Sequence, residues 1–280
     1  MIGGTRYRIG ADIARQTALS ARIARGQSDI ALGKRLSAAS DDPDAAARIG
    51  QLRAARIDSS AWRAVADQAA TLSARADVAL GSAGNTLDRA RELLTFALSS
   101  TAAPADRAAT ADELRGLAQE IDGLAATTDA TGQRVFPTDA PLQLPLSRSE
   151  RITATLSMTE AFAVGGRDMA AILRSAADAV AVADPAARQA ASGASLGEVA
   201  AASDHISSAR GLLGGRAARI EAVRERLIDG DAIFAEELSS LEDTDIAATV
   251  ARIQADQLSL DAARGVFARV NRATLFDLLG

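Results

Sequence analysis

Val199, Ile206, Leu213, Ile220 and Leu227 fall at intervals of seven, with Ala202, Ala209 and Val223 at the companion position. A period held this strictly commits the segment to one long helix whose apolar seam must be covered by a second. The partner is legible upstream. Over residues 43–100, Val65, Ala69, Leu72, Ala76, Ala79, Ala83, Leu87, Ala90 and Leu94 recur at steps of three and four. The two segments are expected to pack antiparallel. Aromatics make up only 3% of the chain and Trp62 is its one tryptophan, so the interior is built from Ala, Leu, Ile and Val at close helix spacing. The fold class that follows is mainly α: an elongated antiparallel helical bundle or coiled coil, with a small β-hairpin excursion in the middle.

The chain divides into five stretches. Residues 1–36 form an N-terminal helix with an apolar stripe of Ile9, Ile13, Leu19, Ile23 and Ile30, interrupted by Gln16, Ser20 and Gln27. Gly33 reads as its C-cap, and Lys34 and Arg35 suit the negative end of its dipole. Residues 37–136 begin with a new helix that Asp42 caps, Pro43 opens and Asp44 supports with charge. Gly81 and Gly84 are candidate kinks in it. A turn at residues 101–104 leads to a third helix with Leu114, Leu117, Ile121 and Leu124 on one face. Residues 137–166 are expected to be non-helical: Leu142, Leu144 and Leu146 alternate, as do Ile152, Ala154, Leu156 and Met158. A hairpin this short cannot stand alone and must lean on the bundle. Residues 167–230 hold a short helix (Met169, Ile172, Leu173, Ala176, Val180) and the heptad segment. A weaker break is expected at Asp229-Gly230, followed over residues 231–280 by a last helix with Ile246, Val250, Ile253, Gln257, Leu260 and Phe267.

Net charge is −5, which argues against a duplex-binding protein. No cysteine is present, which removes disulfides, thiolate metal sites and thiol catalysis together. Residues 1–10 lack the continuous apolar run of a Sec signal, and no stretch approaches the length of a membrane span. The charge is unevenly placed. Residues 1–36 carry seven basic and two acidic side chains, residues 231–280 four basic and nine acidic. Two helices of similar length, both apolar-striped and opposite in charge, are expected to lie against each other. Their apolar burial is small beside the entropy of ordering them, so both ends are expected to be loose in the free monomer and to order as copies assemble.

Three segments resemble the flagellin superfamily of bacterial flagellar axial proteins. They are A-L-G-K-R-L-S-A-A-S-D-D-P-D-A-A-A-R at residues 31–48, L-A-A-T-T-D-A-T-G-Q-R-V-F at 124–136 and L-S-S-L-E-D-T-D-I-A at 238–247. The motif residues are Gly33, Lys34, Arg35, Ser40, Asp41, Asp42 and Pro43 in the first and Leu241, Glu242, Asp243 and Asp245 in the third. Within the superfamily, Ser40 to Pro43, Leu241 to Asp243 and the A-T-L-F-D-L-L ending at 273–279 are more similar to the hook–filament junction branch, the third hook-associated protein, than to filament flagellin. The outer domain usual in that branch is reduced here to the hairpin at 137–162.

The resemblance implies a structural subunit exported unfolded through the flagellar type III apparatus, with an export chaperone and an N-terminal signal in place of a Sec peptide. It implies an extracellular homo-oligomer in a helical tube, beside other hook-associated proteins and flagellin. The terminal stripes (Ile9, Ile13, Leu19, Ile23, Ile30, Ile246, Val250, Ile253, Leu260, Phe267) would carry the assembly. No cofactor or metal is implied.

Sharper chemical readings compete poorly. His205 is the one histidine and lacks a second ligand for a metal. Gly211 with Gly214-Gly215 and Arg216 has neither the preceding strand nor the following Lys-Ser/Thr of a phosphate cradle. The acidic residues Glu236, Glu237, Glu242, Asp243 and Asp245 read as a solvated helix face or a salt-bridge surface between packed subunits rather than as paired catalytic carboxylates or a cation site. No nucleophile–base pair converges, so an enzyme is not expected. The alternatives to a junction subunit are a filament flagellin and, further off, a soluble signalling coiled coil.

Overall fold

A computed structural model describes residues 2–36, 38–99, 103–147 and 149–276, with side chains over residues 9–269 of these. The expected turn at Thr101 and the ending at 277–279 fall outside the described residues. The elements in order are α1 (Ile2–Leu32), α2 (Pro43–Leu98), α3 (Pro104–Ala125), β1 (Gln143–Pro145), β2 (Arg151–Thr153), α4 (Met158–Phe162), β3 (Ala163–Val164), β4 (Arg167–Asp168), α5 (Met169–Ala181), α6 (Pro185–Glu242) and α7 (Ile246–Phe276). They form two compact units, Asp58–Gly230 and the paired ends Met1–Ile57 with Asp231–Gly280, to both of which α2 and α6 contribute.

In the Asp58–Gly230 unit the heptad seam is buried as its spacing requires. Val199, Ile206, Leu213 and Ile220 are at most 2% exposed and face Ala76, Leu80, Ala83, Leu87 and Leu94 of α2 or its earlier turns. The two helices run antiparallel: Arg210 pairs with Asp77 at 2.9 Å and Arg224 with Asp67 at 2.6 Å. Leu114 and Ile121 of α3 and Ile172 and Leu173 of α5 complete a four-helix core. Neither Gly81 nor Gly84 interrupts α2.

The middle excursion is a hairpin, β1 antiparallel to β2 with Leu144 opposite Ile152. It leans on the bundle as expected: Leu146, Ile152 and Ala154 form a second core with Ala66, Ala69, Ile220 and Val223. The region is not wholly non-helical. Met158, expected on a strand, opens the short α4, because Ser157 and Glu160 cap each other's backbone N–H at 3.2 and 2.9 Å. Phe162, at its end, meets Phe136 edge-to-face with centroids 5.0 Å apart, both rings buried.

Arg216 stands where the heptad's companion position would take an apolar residue. Its guanidinium donates to the Thr155 carbonyl at 2.5 Å and reaches the Glu160 carboxylate at 3.4 Å, fastening the excursion to α6. His205 lies on the same helix, its Nε2 2.9 Å from the Glu160 carbonyl. A carbonyl only accepts, so Nε2 carries the proton.

The other unit corrects one expectation. No break occurs at Asp229-Gly230, since α6 continues to Glu242 and the chain turns only at residues 243–245. The extra turns bury Leu238 against Ile49 and Leu52, with Phe234, Leu241 and Leu36 beside them. Arg48 and Arg56 pair with Glu237 and Asp231 at 2.6 and 2.8 Å. These contacts outweigh the helix cost of one glycine, about 1 kcal/mol.

Candidate functional site

The two motif stretches that lie farthest apart in sequence meet within the paired-ends unit. After α1, Gly33 turns the chain in the left-handed region at φ 68°. Lys34 then forms an isolated antiparallel bridge with Asp243. Around it Arg35 N–H donates to the Glu242 carbonyl at 2.7 Å and Thr244 N–H to the Gly33 carbonyl at 3.1 Å. Thr244 Oγ1 donates to the Asp29 carbonyl at 3.2 Å, and the Arg35 guanidinium to that of Leu241 at 3.1 Å. The α1 exit and the α7 entry are thus clasped by backbone bonds.

Charge reinforces the clasp. Lys34 Nζ lies 3.0 Å from Glu242 Oε2, and the Arg53 guanidinium lies 2.6 Å from Glu242 Oε1. Burial pushes the Glu242 carboxyl up, but Lys34 and Arg53 together hold it below the usual carboxylate range. The Arg48 guanidinium does the same to Glu237 one turn earlier.

The first motif forms the entry to α2. Asp42 Oδ1 accepts from Ala45 N–H at 3.0 Å and so caps the helix, with Pro43 at its first position. Asp41 accepts from the Ala38 N–H at 3.1 Å and from the Arg25 guanidinium, which ties the loop back to α1. Ser40 is exposed in that turn. In the other motif, Asp245 caps α7 by accepting from Ala248 N–H at 2.9 Å, while Asp243 accepts from Ser239 Oγ. In this acidic run Glu237 and Glu242 are held in ion pairs within the chain, whereas Glu236 is exposed to solvent. Among the described residues no group of acidic or histidine side chains is placed to hold a metal.

Helices α1 and α7 pack antiparallel beyond the clasp. Gly26 permits the close approach: a Cβ there would meet Ile253 Cγ1 at 2.9 Å. Arg22 and Asp256 bridge the pair at 3.1 Å. Of the residues expected on the terminal stripes, Leu19 and Leu260 are buried, and Ile9, Ile23, Ile30, Ile253 and Phe267 are half-buried. Ile13, Ile246 and Val250 are not taken up by the pair, at 52%, 56% and 38% exposure. Leu258 and Val266, absent from the expected stripe, also point outward. The line of α7 that faces α1 instead includes Thr249 and Asp256. Polar residues on this line hid it from a reading of apolar periodicity alone.

The family model of the bacterial flagellin N-terminal helical region matches residues 11–139, and that of the C-terminal helical region matches residues 196–279. No curated protein matches the chain in sequence. Among solved structures, a candidate flagellar hook-associated protein from Vibrio parahaemolyticus superposes with a TM-score of 0.66 at 14% identity, covering 72% of this chain and all of that one. Flagellar hook-associated protein 3 from Legionella pneumophila gives 0.61 at 12%, over 69% and 98% of the two chains. Xanthomonas campestris FlgL gives 0.59 at 16%, over 68% and 99%.

Proposed function

The chain belongs to the bacterial flagellin family, with both helical regions of that family present in order, and from this premise we propose that it is a hook–filament junction subunit. It polymerises through α1 and α7, which line the inner wall of a helical tube. The observation that carries this reading is the terminal pair itself: clasped at its base, antiparallel, and still presenting Ile13, Val250, Leu258 and Val266 to solvent. One chain alone leaves these side chains uncovered, whereas neighbouring copies would cover them. The junction branch is supported by Ser40 to Pro43, by Leu241 to Asp243, and by likeness in fold to solved hook-associated proteins.

In this role the subunit travels unfolded through the flagellar export apparatus with a chaperone and reaches the cell exterior without a Sec peptide. A cysteine-free chain suits that passage, since no disulfide forms on the way. Its neighbours are copies of itself, other hook-associated proteins and flagellin. Electron microscopy of purified protein added to isolated hooks tests the reading. A short cap with no growth beyond it is expected. Long filaments would make the chain a filament flagellin, and no addition would overturn an axial role.

A further inference from the structure

The Asp58–Gly230 unit carries opposite charge on two edges that do not meet within one copy. On the first, beside the hairpin, a cleft of about 790 Å³ is rimmed by Arg151, Arg216, Arg219 and Arg226, with one carboxylate, Glu150. Arg219 and Arg226 are exposed and form no ion pair with a described carboxylate. Leu212, seven residues before Arg219, lines the same cleft and is half exposed. The second edge is the seam of α2 and α3. There Arg89 of α2 pairs with Glu113 of α3 at 2.8 Å, and Glu113 stays partly open to solvent. Glu120, seven residues further along α3, is exposed and without a described cation. Phe96, seven residues beyond Arg89 on α2, is half exposed.

The two edges repeat at one interval. Leu212, Arg219 and Arg226 succeed one another by about 10.5 Å along α6. Because α2 and α3 run antiparallel with Arg89 level with Glu113, the levels of Phe96, Glu113 and Glu120 along the seam are also about 10.5 Å apart. The order is apolar, cation, cation on α6 and apolar, carboxylate, carboxylate on the seam. Direction agrees as well. Within one copy α6 is antiparallel to α2, through Arg210 with Asp77 and Arg224 with Asp67, so copies of one polarity offer α6 to a neighbour's seam in the matching sense. Around α2, Asp77 faces α6 and Arg89 faces α3, which puts the seam on the side of α2 away from α6.

We infer that the hairpin edge of α6 in one copy docks on the α2–α3 seam of the next, with Leu212 against Phe96, Arg219 against Glu113 and Arg226 against Glu120. Within one copy Arg224 stands level with Asp67, whereas in the contact Arg226 stands level with Ser82, so the neighbour is displaced by about 25 Å along the helices. A staggered contact between two different edges leaves one edge of each kind free at the ends, and it therefore propagates instead of closing on a pair. The inference rests on the reading of the chain as a subunit that packs in many copies, and it names one surface through which it does so. A polyanion would satisfy the arginines but leave Leu212, Phe96 and Glu120 without a role.

Since the chain holds no cysteine, introduced thiols report the contact directly. Full-length Leu212→Cys and Phe96→Cys are oxidised at high protein concentration, separately and as an equimolar mixture. A cross-linked pair is expected in the mixture and in neither variant alone. Cross-linking of Leu212→Cys to itself would show a same-face contact, and a mixture without cross-links would show that the edges do not meet; either overturns the inference. Charge gives a second reading, with helical circular dichroism establishing that each variant folds. Arg226→Glu and Glu120→Arg should each self-associate about three- to tenfold more weakly by sedimentation, and the chain carrying both changes should recover. A double variant as weak as the single ones would also overturn the contact. Addition of the unaltered chain to hooks is scored separately. Addition without the cross-link would sink only this contact, whereas the cross-link without addition would sink only the junction reading.

Discussion

Lys34 Nζ lies 3.0 Å from Glu242 Oε2 across 208 positions of sequence, so the base of α1 is tied to the base of α7 by the chain's only lysine. Arg53 takes the other Glu242 oxygen. The clasp holds the two terminal helices at one origin, and what each does beyond it depends on their thin mutual contact.

Because Glu242 titrates below the usual carboxylate range in the folded chain, its contribution to stability is complete above that range. It fades as pH falls through the depressed value. Glu242→Gln should therefore cost about 1 kcal/mol or less at pH 7, as befits partners that are half exposed. The gap from the parent should close below about pH 4. Urea melts at several pH values check this. At fixed neutral pH, amine-reactive labelling of Lys34 should also rise severalfold in the variant. An unchanged labelling rate would show that the ion pair does not restrain the lysine.

The spine was legible and the clasp was not, for one physical reason. Apolar periodicity reports burial along a single helix, and the heptad from Val199 to Ile220 is buried throughout. The clasp instead joins polar residues where α1 and α6 end, Gly33 to Arg35 with Glu242 to Thr244, and no apolar period exists there to read. Asp229-Gly230 misled because a glycine weakens a helix locally, whereas the packing of Phe234, Leu238 and Leu241 that carries α6 onward is tertiary. The short α4 had a visible signal, Ser157 followed by Glu160 in a capping box, which the alternating apolar pattern obscured.

Gly26→Val should separate α1 from α7, because the new side chain must occupy space now held by Ile253. Addition to hooks is expected to fall at least tenfold while the thermal transition of the Asp58–Gly230 unit is unmoved. Normal addition by the valine variant would show that this approach is not needed for assembly.

In dilute monomer, amides of α1 and α7 should exchange with solvent orders of magnitude faster than those of Leu87 or Ile206, since among the described side chains of the pair only Leu19, Thr249 and Leu260 are buried. Hydrogen exchange with mass spectrometry reads both regions in one experiment. Protection at Ile13 equal to that at Leu87 would exclude loose ends.

Phe162→Ala should cost about 3–5 kcal/mol, because a fully buried ring is lost together with its edge-to-face contact with Phe136. Denaturant melts of the full chain measure the loss. Smaller effects, near 1 kcal/mol, would mean that the excursion collapses to fill the space.

Arg216 separates two roles that one residue performs. On α6 it occupies a seam position that an apolar residue would fill without cost. Toward the excursion it satisfies the Thr155 carbonyl and the Glu160 carboxylate. Arg216→Met keeps helix propensity and supplies apolar volume, so the seam should hold its melting temperature or gain slightly. The Thr155 carbonyl then loses its charged donor, which costs about 1–3 kcal/mol if nothing replaces it. That loss falls on the segment around residues 137–166 and not on the four-helix core. Limited proteolysis should consequently cut within this segment several times faster in the variant, with the core fragments as stable as before. Equal cleavage rates would place the anchor elsewhere, in the Leu146, Ile152 and Ala154 contacts with α2 and α6. A general loss of stability would instead make Arg216 part of the bundle core.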